Sequence, residues 1–175
     1  MDFEEATFNI SSSLAMKIHS DGDYCVPTIT LCGLQKLTLS LQKWKQLTKD
    51  SNSILLAIDG INEESFGYES EWCLGGNFYV TIHRSIQETS HLSAIVDIRK
   101  RTKIHGKIID SDEGILLTYS EFRQLMKLTS IVEKLIPELV NLRPCWEGDD
   151  HYNQLGALMC PECNPYEYMN WLEYR

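Results

Sequence analysis

Four residues near the end of the chain, Cys145, His151, Cys160 and Cys163, carry side chains suited to a transition metal, and the last two form the run Cys160-Pro-Glu-Cys163. A Cys-x-x-Cys turn presents two thiolates to one tetrahedral zinc ion, and Cys145 with His151 would complete a set of four that orders the tail. Without a metal the three cysteines are free thiols in an acidic extension. A redox role would need a βαβ context with a helix starting at the motif, and the surrounding sequence offers neither. The second chemical feature is Arg99-Lys-Arg-Thr-Lys-Ile-His-Gly-Lys107, with five permanent cations in nine positions. Arg99, Lys100, Arg101, Lys103 and Lys107 suit phosphate, and His105 adds charge near its titration range. A charge run is equally the mark of a solvated surface.

The whole chain is acidic: 175 residues carry a formal charge of −9, with 43% hydrophobic and 23% charged residues. That balance excludes a protein that coats nucleic acid everywhere, so any phosphate site must be local. The start MDFEEATFNI lacks the basic and apolar regions of a signal peptide, and no apolar run is long enough to span a bilayer. The expectation is a soluble intracellular protein with no membrane partner, whose six cysteines are reduced or metal-bound. Glycine-rich phosphate loops, nucleophile elbows and metalloprotease helix motifs do not occur, so a non-enzymatic role is expected.

The elements that must position these groups follow from an internal repeat. Leu37-Thr-Leu-Ser-Leu-Gln-Lys-Trp-Lys-Gln-Leu47 aligns without a gap on Ile115-Leu-Leu-Thr-Tyr-Ser-Glu-Phe-Arg-Gln-Leu125, which sets Trp44 against Phe122 and Leu47 against Leu125. Each copy reads as a short strand, a capping Ser40 or Thr118, and an amphipathic helix. Thr118 and Glu121 fit a capping box, and Phe122, Leu125, Met126, Thr129, Val132 and Ile136 line one face until Pro137 ends or kinks the helix. In the first copy Leu41, Trp44, Leu47, Ile54, Leu55 and Ile58 follow the same track. Asp50 to Ser53 could break that helix and leave Ile54 to Ile58 as a strand, and Gly60 offers a stop.

Alternation predicts strands over Thr7 to Ile10, Leu14 to His19 and Tyr24 to Leu31, with turns at Ser11-Ser-Ser13 and Asp21-Gly22. It predicts further strands over Phe78 to Arg84 and Ala94 to Lys100, and another introduced by His105-Gly-Lys107 and ending near Asp110. Tyr79, Thr81 and His83 would share one face, opposite Val80 and Ile82. The expected fold is α+β with two β-β-β-β-α units. The first spans residues 1–60, a connector 61–76, the second unit 77–137, and an acidic, aromatic extension with the candidate zinc site 138–175.

The second half resembles the positive cofactor four family of single-stranded-DNA-binding transcriptional coactivators. The resemblance rests on Phe78-Tyr-Val-Thr-Ile82, on Ala94-Ile-Val-Asp-Ile-Arg99, and on Gly114-Ile-Leu-Leu-Thr-Tyr-Ser-Glu-Phe122, in that order. It implies a twisted antiparallel sheet followed by a helix, and an intramolecular pseudodimer in place of the family's homodimer. It further implies binding of single-stranded DNA or unpaired duplex DNA in transcription or replication, with Arg99 as the carried-over contact, transcription-machinery proteins as partners and the nucleus as location. Tyr79 joins the expected contacts as an exposed aromatic on which a base can stack.

The chain departs from the family at Asp110-Ser-Asp-Glu113, where a basic stretch belongs, and at Glu88-Thr-Ser-His-Leu92, where the family has a basic turn. The first unit offers only Lys17, His19 and Lys36. The alternative expectation is a protein-interaction module that keeps the fold without binding nucleic acid.

Overall fold

The computed structural model describes residues 5–21, 26–62, 70–86, 92–147, 151 and 154–166. They form two antiparallel four-stranded meanders, each followed by helix, so the α+β duplication is present. The first unit comprises β1 (Ala6–Asn9), β2 (Ala15–Asp21), β3 (Val26–Cys32), β4 (Lys36–Ser40) and α1 (Leu41–Asn62). The second comprises β5 (Glu71–Gly75), β6 (Phe78–Ile86), β7 (Leu92–Ile104), β8 (Lys107–Thr118), α2 (Tyr119–Lys127) and α3 (Thr129–Leu135). Two short helices, α4 (Glu138–Asn141) and α5 (Gln154–Met159), lead into the tail.

Period-two patterning sorts each sheet into an inner and an outer face. Met16, Ile18, Ile29, Leu31, Leu37 and Leu39 are buried in the first sheet, as are Val80, Ile82, Val96, Ile98, Ile115 and Leu117 in the second. Register makes the sets equivalent: Leu31 pairs with Met16 and Leu37, just as Ile98 pairs with Val80 and Ile115. The helices continue the match, with Trp44 and Phe122, Leu47 and Leu125, Ile54 and Val132, and Ile58 and Ile136 all buried.

These side chains belong to one hydrophobic cluster. Helix α1 packs on its own β3 and β4 and also on β5, β6 and β7, while β4 lies beside β8 and α1 touches α2. A fully buried large apolar side chain contributes about 1.5–3 kcal/mol, and units of this size bury too little surface to be robust alone. Pairing them in one chain gives the pseudodimer a shared core.

The pairing has an internal two-fold logic at the helix starts. The Glu121 N–H donates to Thr118 Oγ1 at 3.2 Å, and the Lys43 N–H donates to Ser40 Oγ at 3.4 Å. Lys43 and Glu121 therefore hold the same helical position, and each reaches a β-β connection of the other unit. Ser11, between β1 and β2, donates to Glu121 Oε1 at 2.8 Å. A Cβ on Gly76, between β5 and β6, would come within 3.3 Å of Lys43 Nζ.

Several expected boundaries move. The span 61–76 is not all connector: β5 occupies Glu71–Gly75 and pairs with β6, its alternation hidden by glutamates and glycines. Helix α1 is continuous through Asp50 to Ser53 and runs past Gly60 to Asn62. Ser51 and Ser53 donate to the carbonyls of Thr48 and Asp50 at 2.7 and 2.8 Å, and Gln46 donates to Asp50 Oδ2 at 2.8 Å, so polar side chains fold back on the helix. The second helix, expected as one piece, breaks at Leu128, whose N–H bonds Leu125 three residues back at 3.1 Å. Pro137 does end the helical run, following the last residue of α3 and its cap. His105-Gly106 is the turn before β8 rather than its start, and β8 runs on to Thr118. Parts of two expected features, Gly22 to Cys25 and Glu88 to His91, lie outside the described residues. Among the described residues no helix is long and apolar enough to cross a membrane.

Candidate functional site

Strands β7 and β8 outrun their neighbour. The last β6–β7 pair is Phe78 with Lys100, whereas β7–β8 pairing continues from Arg101 with Asp110 to Ile104 with Lys107. The result is a two-stranded arm closed by His105 and Gly106, both at positive φ (49° and 77°), the backbone a tight hairpin turn requires. Lys103, His105 and Lys107 are exposed on the arm and have no hydrogen bond or ion pair among the described residues. Ile104, Ile108 and Ile109 stand beside them, also exposed.

At the root of the arm the cations are already engaged. Arg99 Nε lies 3.1 Å from both oxygens of Asp97, and its Nη1 donates to the Ser111 carbonyl at 2.9 Å. Its guanidinium fills the space over Gly114, where a Cβ would come within 2.8 Å of Cζ. Lys100 pairs with Glu113 at 2.9 Å. Arg101 pairs with Glu71 at 2.7 Å and Asp110 at 3.2 Å and stacks 4.4 Å from the Tyr79 ring centroid. The bond to Glu71 raises the Arg101 pKa further, against its partial burial. The acidic run Asp110 to Glu113 coincides with the register shift between Arg99 and Arg101, where Ser111 Oγ donates to the Lys100 carbonyl at 2.8 Å. It thus supplies counterions to the very cations it follows in sequence.

The outer face of the second sheet carries Tyr79, Thr81 and His83, as expected from alternation. His83 Nε2 is 3.0 Å from Thr81 Oγ1 and 3.6 Å from Asp97. The first sheet has a similar arrangement with Thr30 in place of the aspartate: His19 Nε2 is 2.8 Å from Thr30 Oγ1, which is 3.0 Å from Thr38 Oγ1. Tyr79 is half-buried, with the Arg101 guanidinium over its ring and Tyr166 of the tail close by. Burial first, and then Tyr166, push its phenol above the usual tyrosine range. The Tyr166 hydroxyl itself is buried and lacks the geometry of a hydrogen bond with any described residue.

No family model, curated protein or solved structure matches the chain. The three motifs on which the sequence-based expectation of a family resemblance rests occupy β6, β7 and the passage from β8 into α2.

The tail brings Cys145, His151, Cys160 and Cys163 together, with their ligand atoms all within 4.8 Å of one another. Cys163 Sγ lies 3.3 Å from both Cys145 Sγ and His151 Nε2. A tetrahedral zinc site with bonds of about 2.3 Å sets sulfurs about 3.8 Å apart, so the cluster is of the right size for a metal, while a disulfide needs sulfurs about 2 Å apart. Burial and Cys163 push the Cys145 thiol up to about 12. Burial also opposes ionisation of Cys160, but the backbone N–H groups of Cys163 and Glu162 outweigh it and draw its pKa down. Amides aimed at a sulfur in this way favour the thiolate a metal needs.

Two groups of the site lay beyond sequence reasoning. Lys43 is buried, and its Nζ donates to Glu162 Oε1 at 3.0 Å and Oε2 at 3.3 Å while lying 5.0 Å from the Phe78 ring centroid. Glu162 is the third residue of Cys-Pro-Glu-Cys, and its carbonyl accepts from the Gly76 N–H at 2.8 Å. The one available signal was the alignment, which sets Lys43 against Glu121 at a helix start.

Proposed function

We propose that the protein is a non-enzymatic factor that binds single-stranded nucleic acid, or unpaired stretches of duplex DNA, in transcription or replication. The observation that carries this reading is the β7–β8 arm, which offers Lys103, Lys107 and His105 unpaired at the end of a sheet whose outer face holds Tyr79 and Arg101. Phosphates would follow the arm lysines while exposed isoleucines meet sugars and base faces. Arg99, Lys100 and Arg101 act here chiefly by holding the root of the arm through their acidic partners. The nucleus is the compartment this activity implies. Titration of labelled single-stranded and duplex DNA at two salt concentrations tests it. Two released lysine contacts predict a salt slope of about −1.4, and no binding at low salt would sink the reading.

The ion pairs of Arg99, Lys100 and Arg101 favour a second reading, a module that docks transcription-machinery proteins and has given up nucleic acid. It stands if the same titration is flat at both salt concentrations.

Structural zinc in the tail belongs to the same proposal. Four protein ligands leave no open position, which suits an ion that orders structure rather than one that activates water. Metal analysis of protein prepared without chelator decides it, and less than stoichiometric zinc rejects it.

A further inference from the structure

We infer that Lys43, Gly75 and Gly76 form a carboxylate socket between the two units, and that its ligand is Glu162 as presented by the metal-closed Cys160–Cys163 turn. The socket is built from both units. Lys43 comes from the start of α1 and is buried; Gly75 is the last residue of β5 and Gly76 opens the turn that follows. Both glycines have positive φ, and their missing side chains make the room: a Cβ on Gly75 would lie 2.8 Å from Glu162 Oε2, and one on Gly76 would lie 3.5 Å from it. The carboxylate receives two contacts from Lys43 Nζ, and the adjoining carbonyl receives the Gly76 N–H. This is a fitted site for one acidic residue, since a buried ammonium without its counterion is costly.

The presentation depends on the metal cluster. Glu162 sits between two of the four candidate ligands, so closing the turn on an ion fixes the direction in which its side chain points. Tyr166 lies three residues beyond Cys163 in sequence and against Tyr79, so seating Glu162 also draws the tail across the outer face of the second sheet. Metal loading, seating of Glu162 in the socket and cover of Tyr79 are thereby one event. The inference rests on the zinc reading given above.

Hydrogen exchange of the Gly76 amide in the full chain tests it, with zinc loaded and after removal by chelator. Protection at Gly76 should fall about tenfold or more on stripping, while amides of β3 keep theirs. Glu162→Gln should bind one equivalent of zinc yet lose part of the Gly76 protection. Zinc bound at full stoichiometry with unchanged Gly76 exchange on stripping overturns the socket and leaves the zinc reading intact. Failure to bind zinc overturns both. If stripping unfolds the whole chain, Glu162→Gln decides alone, and undiminished Gly76 protection in that variant refutes the inference.

Discussion

Lys43 and Glu121 occupy one position in two related helices, carry opposite charge, and both tie their helix to the other unit. Glu121 is partly buried, which opposes its ionisation, but the Thr118 N–H and the Ser11 hydroxyl prevail and hold its pKa below the usual carboxylate value. A carboxylate depressed in the folded state adds stability above its unfolded pKa, and that stability disappears as pH falls through the folded value. Glu121→Gln should therefore cost about 1 kcal/mol at pH 7 and progressively less below about pH 4, as denaturant unfolding at both pH values would register. Arg99 shows how a functional expectation changes when its partners are seen. Both it and Asp97 are nearly buried, with side chains 16% and 10% exposed, and they face each other. Arg99→Ala should lower unfolding stability by about 2–3 kcal/mol, because it strips the buried Asp97 of its two closest contacts and leaves only the more distant, exposed His83, while the salt slope of nucleic-acid binding hardly moves.

Elements decide which cations stay free. The β7–β8 ribbon leaves the sheet after Lys100, so Lys103 and Lys107 escape the carboxylates that gather at its root. Replacing both with Ala should reduce the salt slope by about 1.4 and weaken single-stranded binding without changing the melting temperature, which anisotropy titrations and thermal scans would establish. Asp110→Asn with Glu113→Gln should act oppositely, freeing Lys100, leaving Arg101 only its Glu71 partner, and tightening binding. Persistent weak binding in that double variant would mean those pairs do not govern affinity. Helix α1 makes a related point about burial against propensity. Asp50 to Ser53 favour a break, yet Leu47, Ile54 and Ile58 are fully buried along one stripe, and packing of that stripe outweighs local preference.

At the scale of the molecule, two small sheets share a core and a tail seals their junction. Trp44 and Phe122 are equivalent anchors from different units, and Trp44→Ala or Phe122→Ala should each cost about 3–5 kcal/mol. Since the core is shared, either variant should shift one common transition, seen identically by circular dichroism and tryptophan fluorescence, rather than melt one unit alone. The tail also lies against the outer face of the second sheet at Tyr79. Tyr166→Ala should uncover Tyr79 and return its phenol toward the ordinary range on ultraviolet titration. It should also tighten single-stranded binding, because a stacked base contributes about 1–3 kcal/mol.

How much of this was legible in the sequence follows from how far apart the interacting residues lie. Local patterning determined the strands apart from β5 and the full length of β8, together with the capped helix starts, the buried Trp44 and Phe122 and the duplication itself, because period and capping act within a few residues. Proximity in sequence also foretold the grouping of Cys160 and Cys163, and chemistry proposed Cys145 and His151 as their companions. The fate of the basic strip was not legible. Arg101 meets Glu71 across the sheet, Lys100 meets Glu113 through an irregularity in β8, and Tyr79 meets Tyr166 from the tail. Lys43 with Glu162 is the extreme case, a pair separated by 119 positions. A side chain's charge and type are fixed by its codon, but whether it faces solvent or a counterion is decided only when distant segments pack, and that decision belonged to the tertiary structure.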